Sequence, residues 1–350
     1  MRTIAACALL AVLAFGLLPS QKAAKPARDE GFVLLVETQT ESQCEKKGET
    51  AQEKTVEETA DAQTIRLQTE TGVISLSMED YLTGVLLSEM PSDFQLEARK
   101  AQAVAARTFA CRKLEHPKHD LADVCSDFSC CQAWTSQEAL EKKYGDAFSS
   151  VWQDAQRAVR ETAGEVLHYN DQLIDAVYFS CSGGQTEAAV AVWGSDVPYL
   201  LSVESPGEEF APRFSSQVII SPEEFAEKLT LADKTVSLPE NPAQWLGETE
   251  TSDAGGVARC TIGGVCFTGV QLRKIFGLNS TKFTLSFQDG RFVFDVRGFG
   301  HRVGMSQYGA EHMASLGFSY RTILQYYYQG AEVEQILQEK TAPVNPEQSG

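Results

Sequence analysis

The chain has 350 residues, of which 43% are hydrophobic and 22% are charged, an ordinary balance for a folded protein. This length is enough for one large domain or two modest ones, each with a buried core. Asp and Glu outnumber Lys and Arg by 48 to 30, which gives a formal net charge of −18. So acidic a chain is repelled by a phosphate backbone, and this argues against nucleic acid as its partner.

The first residues have the pattern of a targeting segment. Arg2 supplies a short positive region, and residues 4–18 form an uninterrupted apolar run. Such a run suits a signal peptide and is slightly short for a membrane span of about twenty residues. We therefore expect residues 1–19 to be a signal peptide or a membrane anchor, and either alternative exports the protein.

The next segment, residues 20–63, is rich in Glu, Lys, Thr, Gln and Ala and has few large apolar side chains. Such a composition buries too little apolar surface to offset the entropy of ordering, so it predicts a flexible acidic spacer. The folded domain is expected over residues 64–335, followed by a loose polar tail over 336–350.

The folded part begins with alternating apolar residues around a Thr71–Gly72 turn, which predict a β-hairpin. Ser77 then has the position of an N-cap, and a helix is expected from there to Ser88. Pro91 prevents the helix from continuing. A second helix is predicted over residues 96–114 from its apolar spacing and its many alanines.

Farther along, the pattern predicts a third helix over 152–163 and strands between 167 and 179. Residues 206–290 differ in character and are interpreted as a smaller inserted subdomain. Helices are expected within it over 222–229 and 270–276, and after it over 307–316 and 320–328. Helices and short strands segregated in this way predict an α+β fold, with antiparallel strands around a substrate groove, rather than a doubly wound sheet.

Glu89 stands at the predicted C-terminal end of the first helix, beside Met90 and Pro91. The negative end of the helix dipole disfavours a charged carboxylate there. With apolar neighbours, Glu89 could keep a proton near neutral pH, as a general acid must. The plainer alternative is a solvent-facing glutamate at a helix end, and spacing alone leaves both interpretations open.

Nine cysteines occur in the chain, and three of them, Cys125, Cys130 and Cys131, fall within seven residues. With His119 they form a set of soft thiolates and an imidazole that suits tetrahedral zinc better than disulfides. His116 is the alternative imidazole. A closed set of three cysteines and one histidine favours a structural zinc. Cys260 and Cys266 bracket a Gly-Gly turn, and a disulfide across that hairpin is an open alternative.

Three separated segments resemble the stage II sporulation protein D family. Residues 78–91 end in Ser-Glu-Met-Pro and are followed at 97–108 by Glu-Ala-Arg-Lys-Ala-Gln-Ala-Val-Ala-Ala-Arg-Thr. Residues 179–187 read Phe-Ser-Cys-Ser-Gly-Gly-Gln-Thr-Glu, and residues 298–310 read Gly-Phe-Gly-His-Arg-Val-Gly-Met-Ser-Gln-Tyr-Gly-Ala. Together they extend the resemblance over roughly residues 64–332.

The resemblance implies that Glu89 is the catalytic acid/base of a lytic transglycosylase. Such an enzyme cleaves the bond between N-acetylmuramic acid and N-acetylglucosamine in peptidoglycan and leaves a 1,6-anhydro sugar. In this family the substrate is a strand already stripped of stem peptides, and an amidase partner and a membrane scaffold act alongside during endospore engulfment. The expected location is outside the cytoplasm, with the protein anchored to the cell membrane by its N-terminal segment, or secreted if that segment is cleaved. The family resemblance places the anchored form on the mother-cell side of the sporulation septum.

The resemblance also bears on the metal and on the groove. Some family members bind zinc through two cysteines and two histidines, whereas Cys130 stands here where histidine is usual. Residues in the shared motifs are expected to line the glycan groove: Gln102, Arg107, Ser182, Gly183, Gly184, Thr186, His301 and Gln307. The plainer interpretation of the Ser-Gly-Gly segment is an ordinary tight turn.

Two other functions compete with the transglycosylase. A non-catalytic glycan-binding module that enhances a cell-wall amidase would use the same groove without needing Glu89. A zinc hydrolase would need an open coordination position, and a set of four protein ligands argues against it.

Overall fold

The computed structural model describes residues 63–336, so the predicted leader, most of the spacer and the tail lie outside the described part of the chain. The helices are α1 (Met78–Glu89), α2 (Leu96–Glu115), α3 (Gln137–Tyr144), α4 (Phe148–Arg160), α5 (Ala189–Trp193), α6 (Pro222–Ala232), α7 (Gly269–Phe276), α8 (Gln307–Ser315) and α9 (Tyr320–Tyr327). None of the helices in this part has the length and apolarity needed to cross a bilayer.

The strands are short and belong to five small sheets. They are β1 (Thr64–Thr69), β2 (Gly72–Ser77), β3 (Val124–Cys125), β4 (Glu165–Tyr169), β5 (Gln172–Leu173), β6 (Tyr178–Phe179), β7 (Ser215–Ile220), β8 (Leu246–Thr251), β9 (Val257–Ile262), β10 (Val265–Thr268), β11 (Lys282–Gln288), β12 (Arg291–Arg297), β13 (Met305–Ser306) and β14 (Glu332–Gln335). The sheet orders are β2-β1-β3, β14-β4-β5, β13-β6, β10-β9-β8 and β11-β12-β7. Mixed helices and mainly antiparallel strands confirm the predicted α+β class.

Helix α2 is the central element of the larger part of the fold, because α1, α4, α8, α9 and β4 all pack against it. Its buried side chains are mostly alanines, including Ala98, Ala101, Ala105 and Ala110. Such small side chains let neighbouring elements approach the helix backbone from several directions. The alanine content that predicted the helix therefore also explains its central position.

Helix α1 carries Glu89 and is delimited as the sequence predicted. The Ser77 side chain accepts a hydrogen bond from the backbone N–H of Asp80, which is a standard N-cap interaction. Met90 leaves the helix with an extended backbone (φ −117°, ψ 149°) ahead of Pro91. Glu89 is consequently the last helical residue, so its side chain projects from the end of a rigid element.

A second hydrophobic cluster lies between the β10-β9-β8 and β11-β12-β7 sheets and helices α6 and α7. Aromatic rings dominate it, and Phe225 and Phe292 stack with ring centroids 3.8 Å apart. Its buried members run from Ile220 to Val296, six residues beyond the predicted subdomain boundary at 290. The division of the chain into separate domains stays a prediction.

Several local details differ from the sequence-based expectation, including the short helix α5 and strands β7, β8 and β9, which were not predicted. The helix predicted over 152–163 begins at Phe148, because a 3₁₀ turn leads directly into it, and ends at Arg160. Helix α3, which begins at the N-cap Ser136, was not predicted.

Cys260 and Cys266 are free thiols, so the open alternative of a disulfide between them is wrong. In the β9–β10 hairpin, Cys260 pairs with Phe267 and Cys266 pairs with Thr261. Because adjacent strand residues point to opposite faces, this register places the two thiols on different faces of the sheet. Cys260 is accordingly buried and Cys266 is exposed.

Candidate active site and metal centre

Glu89 lies in a cleft of about 590 Å³ between the end of α1 and loops from three other parts of the chain. Its lining is largely apolar and aromatic, with two cationic side chains. The lining residues are Leu87, Ser88, Glu89, Met90, Pro91, Phe128, Ala133, Lys143, Tyr144, Phe179, Ser180, Pro212, Arg213, Phe299, Gly300, Gln307 and Tyr308. Among these described residues, Glu89 is the one carboxylate.

The Glu89 carboxyl group has two donors from the protein. The backbone N–H of Ala133 donates to Oε1 at 2.7 Å, and the Tyr178 side chain forms a second hydrogen bond. Burial raises the pKa of Glu89 above its ordinary value, and these two hydrogen bonds oppose the rise without cancelling it. A carboxyl group with a raised pKa is suited to donate a proton and then to accept one.

Tyr178 is held by a chain of buried polar side chains. The Tyr81 hydroxyl donates to Gln132 Oε1 at 2.9 Å, and Gln132 Nε2 donates to the Tyr178 hydroxyl at 2.8 Å. Because the Tyr178 oxygen already accepts this bond, its own proton is free to point at Glu89. Burial raises the pKa of Tyr178 well above the usual value, so the hydroxyl keeps that proton at neutral pH.

The relay from Tyr81 through Gln132 to Tyr178 was not predicted from the sequence. Tyr81 lies two helical turns before Glu89 on α1, and this spacing was a usable signal. Gln132 and Tyr178 lie 51 and 97 positions from Tyr81 along the chain, and nothing local marks them as its partners.

The segment after the cysteine cluster lies directly against α1, and a glycine permits this approach. A Cβ at Gly84 would collide with the Trp134 ring and the Thr135 carbonyl. The Ser88 hydroxyl donates to Thr135 Oγ1 at 2.8 Å and fixes the same contact. This close approach places the backbone N–H of Ala133 within reach of Glu89.

The predicted metal ligands come together in space. The ligand atoms of His119, Cys125, Cys130 and Cys131 all lie within 4.8 Å of one another. His119 Nε2 is 3.4 Å from Cys131 Sγ and 3.8 Å from Cys130 Sγ. Tetrahedral zinc with bonds of about 2.0–2.3 Å requires donor separations of roughly 3.5–3.8 Å. The donor set therefore fits zinc in its chemistry, and the two separations from His119 Nε2 are close to those of a tetrahedral site. The alternative imidazole of His116 lies outside the set.

The metal-ligand cluster is adjacent in sequence to the residues that hold Glu89 and its partner Tyr178. Cys131 directly precedes Gln132 and Ala133, which contact the relay and Glu89 respectively. At the other end, Cys125 belongs to β3, which pairs in parallel with β1. A ligand that orders the cluster would consequently also hold Gln132 and the backbone N–H of Ala133 in position.

The Ser-Gly-Gly segment does not face the cleft, contrary to the expectation for Ser182, Gly183 and Gly184. Their three backbone N–H groups and the Ser182 hydroxyl all donate to Glu208 Oε2, at 2.8–3.2 Å. The hydroxyls of Ser205 and Ser306 donate to Glu208 Oε1. The segment's donors are thus already used, and the positive φ angles of Gly183 (76°) and Gly184 (103°) shape this internal turn.

Thr186 and Arg107 are also parts of the folded framework. Thr186 is fully buried, and its hydroxyl accepts from the backbone N–H of Val203 at 2.9 Å. The buried Arg107 guanidinium donates to the backbone carbonyls of Val159, Thr162 and Glu165. Neither side chain lines the cleft, so a direct role in glycan binding is not supported for them.

His301 lies one layer behind the cleft. Its Nδ1 accepts from the backbone N–H of Val303 at 3.2 Å, so Nε2 carries the proton and donates to the Tyr178 carbonyl at 3.0 Å. Burial, with a smaller contribution from Arg273, lowers the pKa of His301 to about 4. The imidazole is therefore neutral and supports the Tyr178 backbone.

Of the predicted groove residues, Gln307 lines the cleft. It is the first residue of α8, and its Nε2 donates to Gln102 Oε1 at 3.4 Å. Gln102 is fully buried beneath it, which is a position that orients Gln307 and does not reach a ligand directly.

Comparisons with known proteins agree with the motifs. Residues 67–169 match a family model described as Stage II sporulation protein. The chain is 38% identical to "Stage II sporulation protein D" of Bacillus subtilis over 75% of this chain and 76% of that protein. It is 36% identical to the protein of the same name from Bacillus amyloliquefaciens, with the same coverage.

A more distant relative is "Amidase enhancer" of Bacillus subtilis, which is 28% identical over 71% of this chain and 39% of that protein. The two higher identities extend over about three quarters of both chains. The chain belongs to the stage II sporulation protein D family.

Proposed function

We propose that this protein is a lytic transglycosylase that cleaves peptidoglycan glycan strands at the bond between N-acetylmuramic acid and N-acetylglucosamine. The single observation that carries the proposal is the isolated Glu89 carboxyl group, with a raised pKa, in a cleft lined by aromatic side chains. A hydrolase of the usual type needs two carboxylates flanking the bond, whereas an intramolecular transfer needs one group that acts first as acid and then as base.

Glu89 alone can supply and take up the protons that the reaction requires. The protonated carboxyl gives its proton to the glycosidic oxygen as the bond from the muramyl C1 to that oxygen breaks. The muramyl C6 hydroxyl then attacks C1, and the Glu89 carboxylate takes the hydroxyl proton. The products are a 1,6-anhydromuramyl end and a free N-acetylglucosamine end, no water is consumed, and Glu89 is again protonated.

The neighbours of Glu89 have distinct parts in this scheme. The Tyr178 hydroxyl and the Ala133 N–H both donate to the carboxyl, so they stabilise the carboxylate formed after the first proton transfer. The relay from Tyr81 through Gln132 holds the Tyr178 hydroxyl in place. Aromatic faces such as those of Phe128, Tyr144 and Tyr308 offer packing surfaces for sugar rings.

Zinc, if bound by His119, Cys125, Cys130 and Cys131, has a structural part in this proposal. The four protein donors close a tetrahedral shell, so the metal would supply folding energy to the loop and would not need to bind water. Ordering that loop would position Gln132 and the Ala133 N–H next to Glu89.

The cellular setting is part of the same proposal. The family suggests a role in endospore engulfment, on strands stripped of stem peptides, together with a cell-wall amidase and its membrane scaffold. Export by residues 1–19, with residues 20–63 as a spacer, would give the domain reach into the wall from the membrane. These segments lie outside the described residues.

A second candidate function is a non-catalytic module that enhances a cell-wall amidase. It is favoured by one observation, the similarity to a protein named "Amidase enhancer". A zinc hydrolase is less well supported, because the four candidate donors would fill a tetrahedral shell and leave no coordination position for a water molecule.

The experiment is an incubation of the full chain with peptide-free glycan strands, followed by mass spectrometry of the products. The proposal expects anhydromuramyl ends from the unmodified protein and from Glu138→Gln, a surface control on α3, and none from Glu89→Gln. Binding of glycan without any cleavage would contradict the enzyme and favour the binding module.

A further inference from the structure

Two cationic side chains line the same cleft as Glu89. Lys143 lies at the end of α3, and Arg213 lies in the segment before β7. Both are exposed and far apart in sequence. The chain as a whole has a net charge of −18, and among the described lining residues Glu89 is the one acidic group. The cleft is thus a cationic region on an acidic protein, and such a region concentrates anionic ligands.

Neither cation is neutralised by the protein in its described part. Some basic side chains of similar exposure elsewhere, such as Arg66, Arg157 and Arg259, form ion pairs with neighbouring carboxylates. Lys143 and Arg213 instead lie over rings that also line the cleft. Lys143 Nζ is 4.9 Å from the centroid of Tyr144, and the Arg213 guanidinium is 4.7 Å from that of Phe299. A cation over an aromatic face keeps its charge and its remaining N–H donors for a ligand.

The glycan proposed as substrate has one source of negative charge. Each muramyl sugar carries a lactyl ether, whose carboxyl group forms a neutral amide when a stem peptide is attached. Removal of the peptide converts that amide into a free carboxylate. A stripped strand consequently carries a carboxylate on every second sugar, next to apolar sugar faces that suit aromatic side chains.

We propose that Lys143 and Arg213 bind the free lactyl carboxylates of muramyl residues in the cleft and thereby determine specificity for peptide-stripped strands. This inference rests on the glycan substrate proposed above. Arg213 presents a planar fork that matches a carboxylate in two parallel hydrogen bonds, and Lys143 acts as a point charge. The lactyl amide of a peptide-bearing strand offers no charge to either side chain.

The test measures binding, so that it does not depend on catalysis. The full chain with Glu89→Gln is titrated at low and high salt with three glycan preparations of the same length. One carries free lactyl carboxylates, one has these carboxylates converted to methylamides, and one retains its stem peptides. Stem-peptide carboxylates are thereby distinguished from lactyl carboxylates.

The variants added to that background are Lys143→Gln, Arg213→Gln, both together, and Arg213→Lys. The matched controls are Lys142→Gln and Arg291→Gln, which remove exposed cations outside the cleft. All substituted side chains are on the surface, so each variant is expected to fold, and circular dichroism checks this.

The expected result is a dissociation constant for free-carboxylate strands that rises about fivefold to tenfold for each single change and more for the double change. Arg213→Lys should recover part of the loss, and the controls should bind normally. Methylamide strands should bind weakly, without dependence on salt or on these variants. Equal losses on all three preparations, or none on the free-carboxylate strands, would overturn the proposal.

The same protein without Glu89→Gln separates this inference from the proposed function. Carboxylate-dependent binding with no anhydromuramyl product would disprove the transglycosylase and leave the carboxylate site intact. Cleavage at the same rate with and without the lactyl charge would support the transglycosylase and disprove the carboxylate site.

Discussion

Two glutamates in this molecule make opposite uses of their surroundings. Glu208 is fully buried and accepts six hydrogen bonds, four at Oε2 and two at Oε1. Glu89 accepts from Ala133 and Tyr178 and otherwise faces a cleft. A carboxylate whose acceptor positions are filled is a structural anchor. One that is partly desolvated and has few donors is available for proton transfer.

Residues of the second and third family motifs have two different roles. The Ser182–Gly184 segment surrounds Glu208, and the buried Arg302 guanidinium donates to the Ser182 carbonyl and to Glu187 Oε1. These parts of the second and third motifs thus join distant parts of the fold. Other residues of the same two motifs, among them Ser180 and Gln307, line the cleft of Glu89.

Glu89→Gln should have the largest effect, because it removes the proposed acid and base while keeping the side-chain shape. We expect a decrease in cleavage rate of about a thousandfold, measured by the release of anhydromuramyl ends.

The Glu89→Gln variant should be as stable as the unmodified protein at neutral pH. The folded-state pKa of Glu89 is raised, so its contribution to stability is present below the unfolded pKa and is lost as pH rises through the folded pKa. A large loss of stability on urea unfolding would show that Glu89 is an anchor like Glu208.

Glu208→Ala should mainly lower stability, in contrast to Glu89→Gln, which mainly lowers the cleavage rate. Six donors would lose their acceptor in a buried site, and we expect a decrease in the free energy of unfolding of about 3–5 kcal/mol. Urea denaturation followed by circular dichroism measures it, with the exposed neighbour Glu209→Gln as control. Normal stability combined with lost glycan binding would show that the Ser-Gly-Gly segment contributes to the glycan groove.

Removal of the zinc proposed at His119, Cys125, Cys130 and Cys131 should loosen the donors to Glu89 and leave Glu208 in place. Chelator treatment or Cys131→Ser should lower the cleavage rate by roughly ten- to a hundredfold, because small displacements of positioning groups cost that much. Zinc content by elemental analysis and the cleavage assay test this together. Cys266→Ser, an exposed cysteine outside the cluster, is the control. Full activity in metal-free protein would contradict the structural role.

Tyr178→Phe should lower the cleavage rate by about tenfold and shift its pH dependence. The Tyr178 hydrogen bond lowers the pKa of Glu89, so its loss raises that pKa further. The reaction begins with protonated Glu89, and activity falls as pH rises through this pKa. The alkaline limb of kcat/KM should therefore move to higher pH. Tyr81→Phe, at the far end of the relay, should produce a smaller shift in the same direction.

Ser182→Ala should have the smallest effect, a loss of about 1 kcal/mol in stability. The Ser182 hydroxyl donates to Glu208, which keeps its five other donors. KM for glycan should stay unchanged. A KM that rises without a stability change would mean that this hydroxyl contacts sugar.

The sequence was informative wherever a local pattern carried the signal. Ser77 and Pro91 delimit α1 because capping and proline chemistry act within a few residues, and the cysteine spacing predicted the cluster that the fold assembles. The Tyr178 relay and the Glu208 anchor were missed, because each joins side chains brought together only by tertiary folding. The internal contacts of Ser182 with Glu208 and of Thr186 with Val203 were missed for the same reason, since these partners lie 26 and 17 positions away in sequence.

In the proposed mechanism Glu89 drives an intramolecular transfer without water. Cleavage of peptide-free strands in ¹⁸O-labelled water, with mass spectrometry of the new muramyl ends, tests this step. Intramolecular transfer gives 1,6-anhydro ends without ¹⁸O, and Glu89→Gln should give none. Reducing muramyl ends that carry ¹⁸O would show hydrolysis and contradict this mechanism.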